Sequence, residues 1–196
     1  MRADSVILTS FIKIPGGIVM LVKRSAIFAI ILFAVSVLPW NAYPVNLNTD
    51  NTRVYFSPHG NCTRSIVREI GNARSEILVQ AYSFTSAPIA KALVDVHKRG
   101  VKVKVILDKS QRKEKYTSAT FLSNMGIPTC IDDKHAIAHN KIIILDGKTV
   151  ITGSFNFTKA AEEKNAENLL IIKSADLAKL YINNWKEHRE HSEAYR

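Results

Sequence analysis

Between His139 and Asn156 the chain reads HNKIIILDGKTVITGSFN, which sets an imidazole (His139), an ammonium (Lys141), a carboxylate (Asp146), a hydroxyl (Ser154) and a carboxamide (Asn156) around an apolar run. A neutral imidazole and a fixed cation two residues apart suit attack on an anionic ester. The ammonium neutralises a phosphate oxygen while the ring nitrogen meets the phosphorus. His-x-Lys alone is common on protein surfaces, and the residues that follow give it meaning. Ile142 to Leu145 reads as a strand, with His139 and Lys141 projecting to one side of its N-terminal end and Asn140 to the other. Asp146-Gly147 signals a tight hairpin turn that returns the chain as Lys148 to Thr152, before Gly153-Ser154-Phe155-Asn156 leaves the sheet ahead of a helix start. Ser154 and Asn156 then come back toward His139 and Lys141, and with nearby backbone N–H groups they make a cradle for an anion. These groups fit phosphoryl transfer without a metal.

The elements that must position these groups follow from periodicity. Arg53 to Phe56 reads as a strand, and Ile66, Val67 and Ile70 recur at helical spacing up to Gly71-Asn72. Glu76 to Phe84 has the apolar, β-forming character of a strand buried on both faces. Ser86 as N-cap and Pro88 in the first turn open a helix from Ala87 to Arg99, and Val101 to Leu107 is the next strand, so a right-handed crossover and a parallel pairing are expected. The basic stretch DKSQRKEK follows. It is either a solvated loop or, through Lys109, Arg112 and Lys113, a contact for a phosphate backbone, with His135 close enough in sequence to join it. A helix from Ser118 to Asn124 leads to a short strand at Thr129 to Ile131. After the site stretch come a short helix capped by Thr158 and running through Lys164, a strand at Asn168 to Ile172, and a helix from Ala175 to about His188. Leu177, Leu180, Tyr181 and Trp185 form the apolar stripe of that last helix. His188 and His191 fall in a charged C-terminal tail, and Tyr82, Phe84, Phe155 and Phe157 flank the site elements, where they either stack bases or, for most of them, pack in the core. The expected fold class is α/β, an α-β-α sandwich with a central mixed, largely parallel sheet.

With 196 residues, 46% of them hydrophobic, the chain has room for one domain with a core. Residues 1–42 differ from the rest. Lys23 and Arg24 precede the apolar run Ala26 to Leu38, followed by Pro39, Trp40, Asn41 and Ala42, the pattern of a cleaved export signal, with Met20 as an alternative start. The run is shorter than the roughly 20 residues a spanning helix needs. A leader over 1–42 and a single domain over 43–196 are therefore expected, with a periplasmic or secreted product and no stable membrane association after cleavage. Residues 1–42 hold four basic side chains (Arg2, Lys13, Lys23, Arg24) and one acid (Asp4), so the remainder keeps +7 of the chain's +10. A basic exported domain suits polyanionic partners, nucleic acid or anionic headgroups. Cys62 and Cys130 have no zinc-type spacing, so no metal and no cofactor are expected, and a disulfide between them stays open.

His-x-Lys, four residues, Asp, six residues, Gly-Ser-x-Asn resembles the HKD motif of the phospholipase D superfamily, with both spacings and all six defining residues present. AYSFTSAPIAKAL, KRGVKVKVILD, the GIP before Cys130 and GSFNFTKAAEEKNAEN extend the resemblance to the small single-motif bacterial endonucleases of this family, from near Asn48 to near Glu190. The resemblance implies that His139 is the nucleophile of a phosphohistidine. It implies that Lys141 and Asn156, with Ser154, bind the phosphate, and that Glu167 is the acid that orients the histidine. It makes Asp146 and Gly153 structural members of the motif, and Asp146, in the hairpin turn, is far along the strand from His139 at about 3.3 Å per residue. Attack and leaving-group protonation need two histidines, while the chain offers one motif and no internal repeat. A twofold homodimer with a shared active site follows, with nucleic acid as the expected substrate. The alternatives are a phospholipase D acting on phospholipid headgroups and a non-catalytic basic module that binds nucleic acid or membrane.

Overall fold

The structure is a computed structural model that describes residues 11–13, 19–21, 45–114 and 117–195. The leader expected over 1–42 lies outside the described residues apart from Phe11–Lys13 and Val19–Leu21, which pair as a two-stranded antiparallel ribbon. Among the described residues no helix is long and apolar enough to cross a membrane.

From residue 45 onward the chain builds one eight-stranded sheet. In chain order its elements are β1 (Thr52–Ser57), α1 (Cys62–Asn72), β2 (Glu76–Ala81), α2 (Ala87–Lys98), β3 (Lys102–Asp108), α3 (Ala119–Asn124), β4 (Thr129–Asp132), β5 (Lys141–Leu145), β6 (Thr149–Gly153), α4 (Lys159–Glu163), β7 (Glu167–Lys173), α5 (Ala175–His191) and β8 (Glu193–Ala194). The strand order is β8-β4-β3-β2-β5-β6-β7-β1. β2 and β5 lie at its centre, and every residue of β5 is buried, as is every residue of β2 after Glu76.

The sheet is mixed, as expected, but it is largely antiparallel. β2–β3 and β3–β4 are parallel, while the remaining pairings are antiparallel. The reason is chain length between strands. Parallel neighbours need a crossover of a dozen residues or more, which α2 and α3 supply. Residues 133–140, between β4 and β5, contain no helix to carry the chain to the far end of the sheet, so β5 starts where β4 stops and runs against β2. β6 and β7 are antiparallel although a helix lies between them, because α4, only five residues long, folds over the end that β6 leaves and does not carry the chain back along the sheet.

Helices cover both faces. On one side α1, α2, α3 and α4 bury Ile66, Ile70, Ile89, Leu93, Leu122 and Ala161 against odd-numbered strand residues such as Ile77, Val79, Ile143 and Ile151. Phe84, Phe155 and Phe157 are fully buried there, and Phe84 and Phe157 meet edge to face with centroids 5.7 Å apart. On the other side, α5 is the one helix among the described residues, and it lays Ala178 and Trp185, flanked by Leu177, Tyr181 and Ile182, over Leu78, Ile106, Ile142, Ile144 and Val150. Leu180 is only partly buried and stands outside this cluster. Trp185 donates its indole N–H to the Val79 carbonyl at 2.9 Å, which pins the helix to the central strand. Cys62 belongs to the first cluster and Cys130 to the second; both are free thiols on opposite faces of the sheet. α1 runs through Gly71 to Asn72, one turn end later than the glycine suggests.

Candidate active site

The polar ends of β2, β5, β6 and β7 meet at one end of the sheet. Ala81 is the partner of Lys141, so Tyr82 and Asn140 are the first residues beyond that pairing, with His139 one further, and the Tyr82 N–H donates to the Asn140 carbonyl at 2.8 Å. Alternation then sorts the side chains. Asn140 points to the α5 side, where its carboxamide oxygen accepts from Gln80 at 3.2 Å. His139 and Lys141 point to the other side, where Lys141 Nζ lies 3.0 Å from His139 Nδ1 and donates to the His139 carbonyl at 2.7 Å.

The two partners differ in exposure. His139 is exposed, whereas Lys141 is 7% exposed. Burial pushes the Lys141 amine below its ordinary value, and the nearby Glu167 carboxylate acts in the opposite direction. Tyr82 forms the wall of this pair: its ring lies 4.6 Å from the imidazole, centroid to centroid, and the Lys141 ammonium stands 5.2 Å from its centre. An ammonium over an aromatic face is attracted by the ring quadrupole, which partly offsets the loss of water. Among the four aromatic residues flanking the site elements, Tyr82 therefore belongs to the site and the three phenylalanines to the core.

The hairpin delivers the second half. Its turn, Asp146-Gly147, has positive φ at both residues, and the Leu145–Thr149 to Ile143–Ile151 ladder, extended by two, sets Gly153 across from Lys141. Gly153 has φ +142°, and a Cβ there would fall 2.2 Å from the Asn168 carbonyl oxygen, so only glycine lets β6 leave the sheet at this point. Ser154 is exposed; its hydroxyl accepts from the Asn168 N–H at 3.0 Å, which leaves the hydroxyl proton free to donate. The Asn156 carboxamide oxygen is buried without a hydrogen-bond partner. Glu167 opens β7 beside Ser57, whose hydroxyl accepts its N–H at 3.2 Å, and its carboxylate accepts from Asn165 at 3.2 Å. No hydrogen bond joins Glu167 to His139 among the described residues; the ring's Nδ1 is met by Lys141 instead. Glu167, Ser154, Asn168, Ser57 and Phe56 line an open cleft of about 300 Å³. A second cleft of about 430 Å³ is lined by Tyr82 itself with Ser83, Ser110, Gln111, Lys113 and Glu114.

Asp146 stands at the far end of β5. Its carboxylate accepts from the N–H groups of Arg74, Ser75 and Glu76 and from the Ser75 hydroxyl, at 2.8 to 3.2 Å. Burial pushes its pKa up, but the hydrogen bonds from Ser75, Arg74 and Glu76 outweigh this and hold it below the ordinary carboxylate value. It closes the turn before β2 onto the hairpin and takes no part in the polar rim.

The residues read as nucleic-acid contacts separate. Lys113 lines the second cleft. Lys109 donates to the His135 carbonyl at 3.0 Å, and Arg112 is paired with Glu193 at 2.7 Å. His135 turns away toward Asp132. Asp108, which carried no role in the sequence reading, is 2% exposed and accepts the Ala138 N–H at 2.7 Å, one residue before His139. Its only signal was position, the last residue of a parallel strand, where sites of α/β sheets gather.

Known proteins resemble this chain over most of this domain. The family model for the cardiolipin synthase, PLD-like domain matches residues 66–189. Phospholipase D of Rickettsia prowazekii (strain Madrid E) is 40% identical over 163 residues, 83% of this chain and 80% of that protein. Mitochondrial cardiolipin hydrolase of Mus musculus is 31% identical over 130 residues, 66% of this chain and 59% of its own. Among solved structures, Nuc from Salmonella typhimurium, a phospholipase D family member, superposes with a TM-score of 0.71 at 40% identity, covering 74% of this chain and 97% of that chain. NucT from Helicobacter pylori gives 0.69 at 26% identity over 74% of this chain and 98% of that chain.

Proposed function

The chain belongs to the phospholipase D superfamily and is a phosphodiesterase-type hydrolase, and from that premise we propose that it is an exported endonuclease that cleaves DNA or RNA without a catalytic metal, through a phosphohistidine on His139. The observation that carries this reading is the His139–Lys141–Tyr82 arrangement: an exposed imidazole held against a buried ammonium at an open rim. A phosphodiester draws the Lys141 ammonium from Nδ1 to its own oxygens, with the Ser154 hydroxyl and the Asn156 carboxamide as further donors. The neutral imidazole then takes the tautomer with its proton moved from Nε2 to Nδ1, where it donates to a carboxylate, for which Glu167 is the candidate, and the freed Nε2 lone pair attacks phosphorus as the P–O bond to the leaving oxygen breaks. A proton must reach that oxygen, and His139 of a second copy supplies it across a twofold axis; water afterwards cleaves the N–P bond. Phe56, 67% exposed at the lip of the Glu167 cleft, and Ile137, 57% exposed two residues before His139, give such an interface apolar contacts. Nucleic acid is favoured as substrate by the net charge of +7 that remains without residues 1–42, by the open clefts lined by Tyr82 and by Glu167, and by the extent of the match to Nuc. The Rickettsia relatives, named phospholipase D, favour a phospholipid substrate as the second reading.

One assay separates these readings. Purified protein is incubated with plasmid DNA and with phosphatidylcholine vesicles, each with and without EDTA, at a temperature at which circular dichroism shows the native fold. DNA cleavage that survives EDTA is the expected result; loss with EDTA under native conditions overturns the metal-free chemistry, and lipid cleavage alone makes the protein a phospholipase. Co-folding wild-type with His139→Ala chains is expected to give inactive heterodimers, and full activity in them would overturn the shared site. Because Glu167 raises the Lys141 pKa against the effect of burial, Glu167→Gln moves the alkaline limb of the kcat/KM profile to lower pH.

A further inference from the structure

Four potential ligands from three separate segments converge behind the loop that carries His139. Asp132, the last residue of β4, is fully buried. His188 Nδ1 lies 2.6 Å from its Oδ2, His135 Nδ1 3.1 Å from the same oxygen, and His191 Nε2 3.3 Å from its Oδ1. One donor atom from each of the four residues falls within 4.8 Å of all the others. The three rings crowd together, with centroids 4.8, 5.2 and 5.4 Å apart. His188 and His191 stand three apart on the last turn of α5 and so share one face.

Three imidazoles around one carboxylate is an unusual way to satisfy a buried acid. Two oxygens can accept all three N–H groups only if each ring turns the right nitrogen inward, and the His191 nitrogen is buried without a hydrogen bond. Asp132 thus presents both carboxylate oxygens to the three rings, Oδ2 to His188 and His135 and Oδ1 to His191. Three imidazole nitrogens and one carboxylate oxygen are ligand types that zinc takes, and four protein ligands leave no open position for a substrate, as in a structural rather than a catalytic site. Tetrahedral ligands at about 2.0–2.1 Å from zinc stand about 3.3 Å from one another; here the rings lie 2.6 to 3.3 Å from one or other carboxylate oxygen and all four donor atoms within 4.8 Å of one another, so small side-chain rotations close the shell.

We propose that Asp132, His135, His188 and His191 bind one zinc-type divalent ion that fastens the end of α5 to β4 and to the loop leading to His139. Its role is structural. It lies outside the His139 rim, so it is independent of the phosphodiesterase chemistry and of the choice between nucleic acid and lipid.

The test uses zinc itself and leaves activity out of the readout. The chain as purified is stripped with a chelator, desalted and titrated with ZnCl2, then with CoCl2. Expected are one zinc per chain, a melting temperature raised by about 5–10 °C at a hundredfold excess over Kd, and the visible d–d bands of four-coordinate cobalt. The double variant His188→Ala/His191→Ala loses both. Should that variant not fold, His135→Ala, on the exposed loop, keeps the fold and weakens zinc binding at least about tenfold. Binding of less than a stoichiometric ion, absence of the cobalt bands, or undiminished binding in a natively folded variant overturns the proposal and leaves a cluster held by protons alone.

Discussion

His135 and His139 are four residues apart on one loop, and their surroundings make opposite uses of the same ring. His139 is exposed and touches a lysine that a substrate can draw away; His135 faces a fully buried carboxylate flanked by two more histidines. A nucleophile needs one nitrogen with a free lone pair and room for a reacting atom, whereas a metal ligand needs convergence and closure. The contrast lies in the second residue each ring meets: an ammonium on a four-carbon stem is a mobile partner, and an aspartate at the end of a buried strand is a fixed one.

The sharpest way to break this contrast is to exchange effects between the two sites. His139→Ala is expected to lower the phosphodiesterase rate by at least roughly 10⁴-fold with the melting temperature unchanged. His188→Ala is expected to do the reverse: calorimetry shows a lower melting temperature, and the rate per folded molecule is retained. Rate loss in both would merge the two sites into one. Next in size, Trp185→Ala removes the pin on Val79 and a large part of the α5 contact, at about 3–5 kcal/mol by urea denaturation. Asp146→Asn turns an amide N–H toward donors that need an acceptor, which costs about 2 kcal/mol at neutral pH. Because the Asp146 pKa is depressed in the folded state, its contribution is complete above the unfolded carboxylate value of about 3.9 and is lost as pH falls through the lower folded value. The stability curves of wild-type and Asp146→Asn therefore converge in acid. Least affected is Tyr82→Ala, with a loss of about fivefold in kcat/KM from the missing cation–π contact.

Much of the His139 site could be read from sequence because it is local. A strand, a two-residue turn with positive φ and a returning strand bring residues 139 to 156 together through backbone geometry that Asp-Gly and Gly153 announce. The strand direction was legible only where a helix intervened. Parallel pairing of β2 with β3 follows from α2, whereas the antiparallel run of β5 against β2 depends on the helix-free segment 133–140, whose path no periodicity marks. The Asp132 cluster was illegible for a different reason. His188 and His191 are separated from Asp132 by more than fifty positions, and their spacing becomes informative only once β4 and α5 are known to be neighbours. Tyr82 was not separable from the three phenylalanines because an aromatic residue at a strand end has the same sequence signature whether it faces the core or a cleft.

The bond from Trp185 to Val79 also bears on the order in which the molecule can be made. It spans 106 positions, and among the described residues the face of the sheet built from Leu78, Ile106, Ile142, Ile144 and Val150 is covered by α5. A chain emerging from the ribosome therefore carries seven of the eight strands with one bare apolar side until residues 175–191 follow. Such an intermediate is sticky and slow to close, since its last layer depends on contacts of long sequence separation. In the export proposed above, such late closure keeps the chain threadable until its last helix arrives.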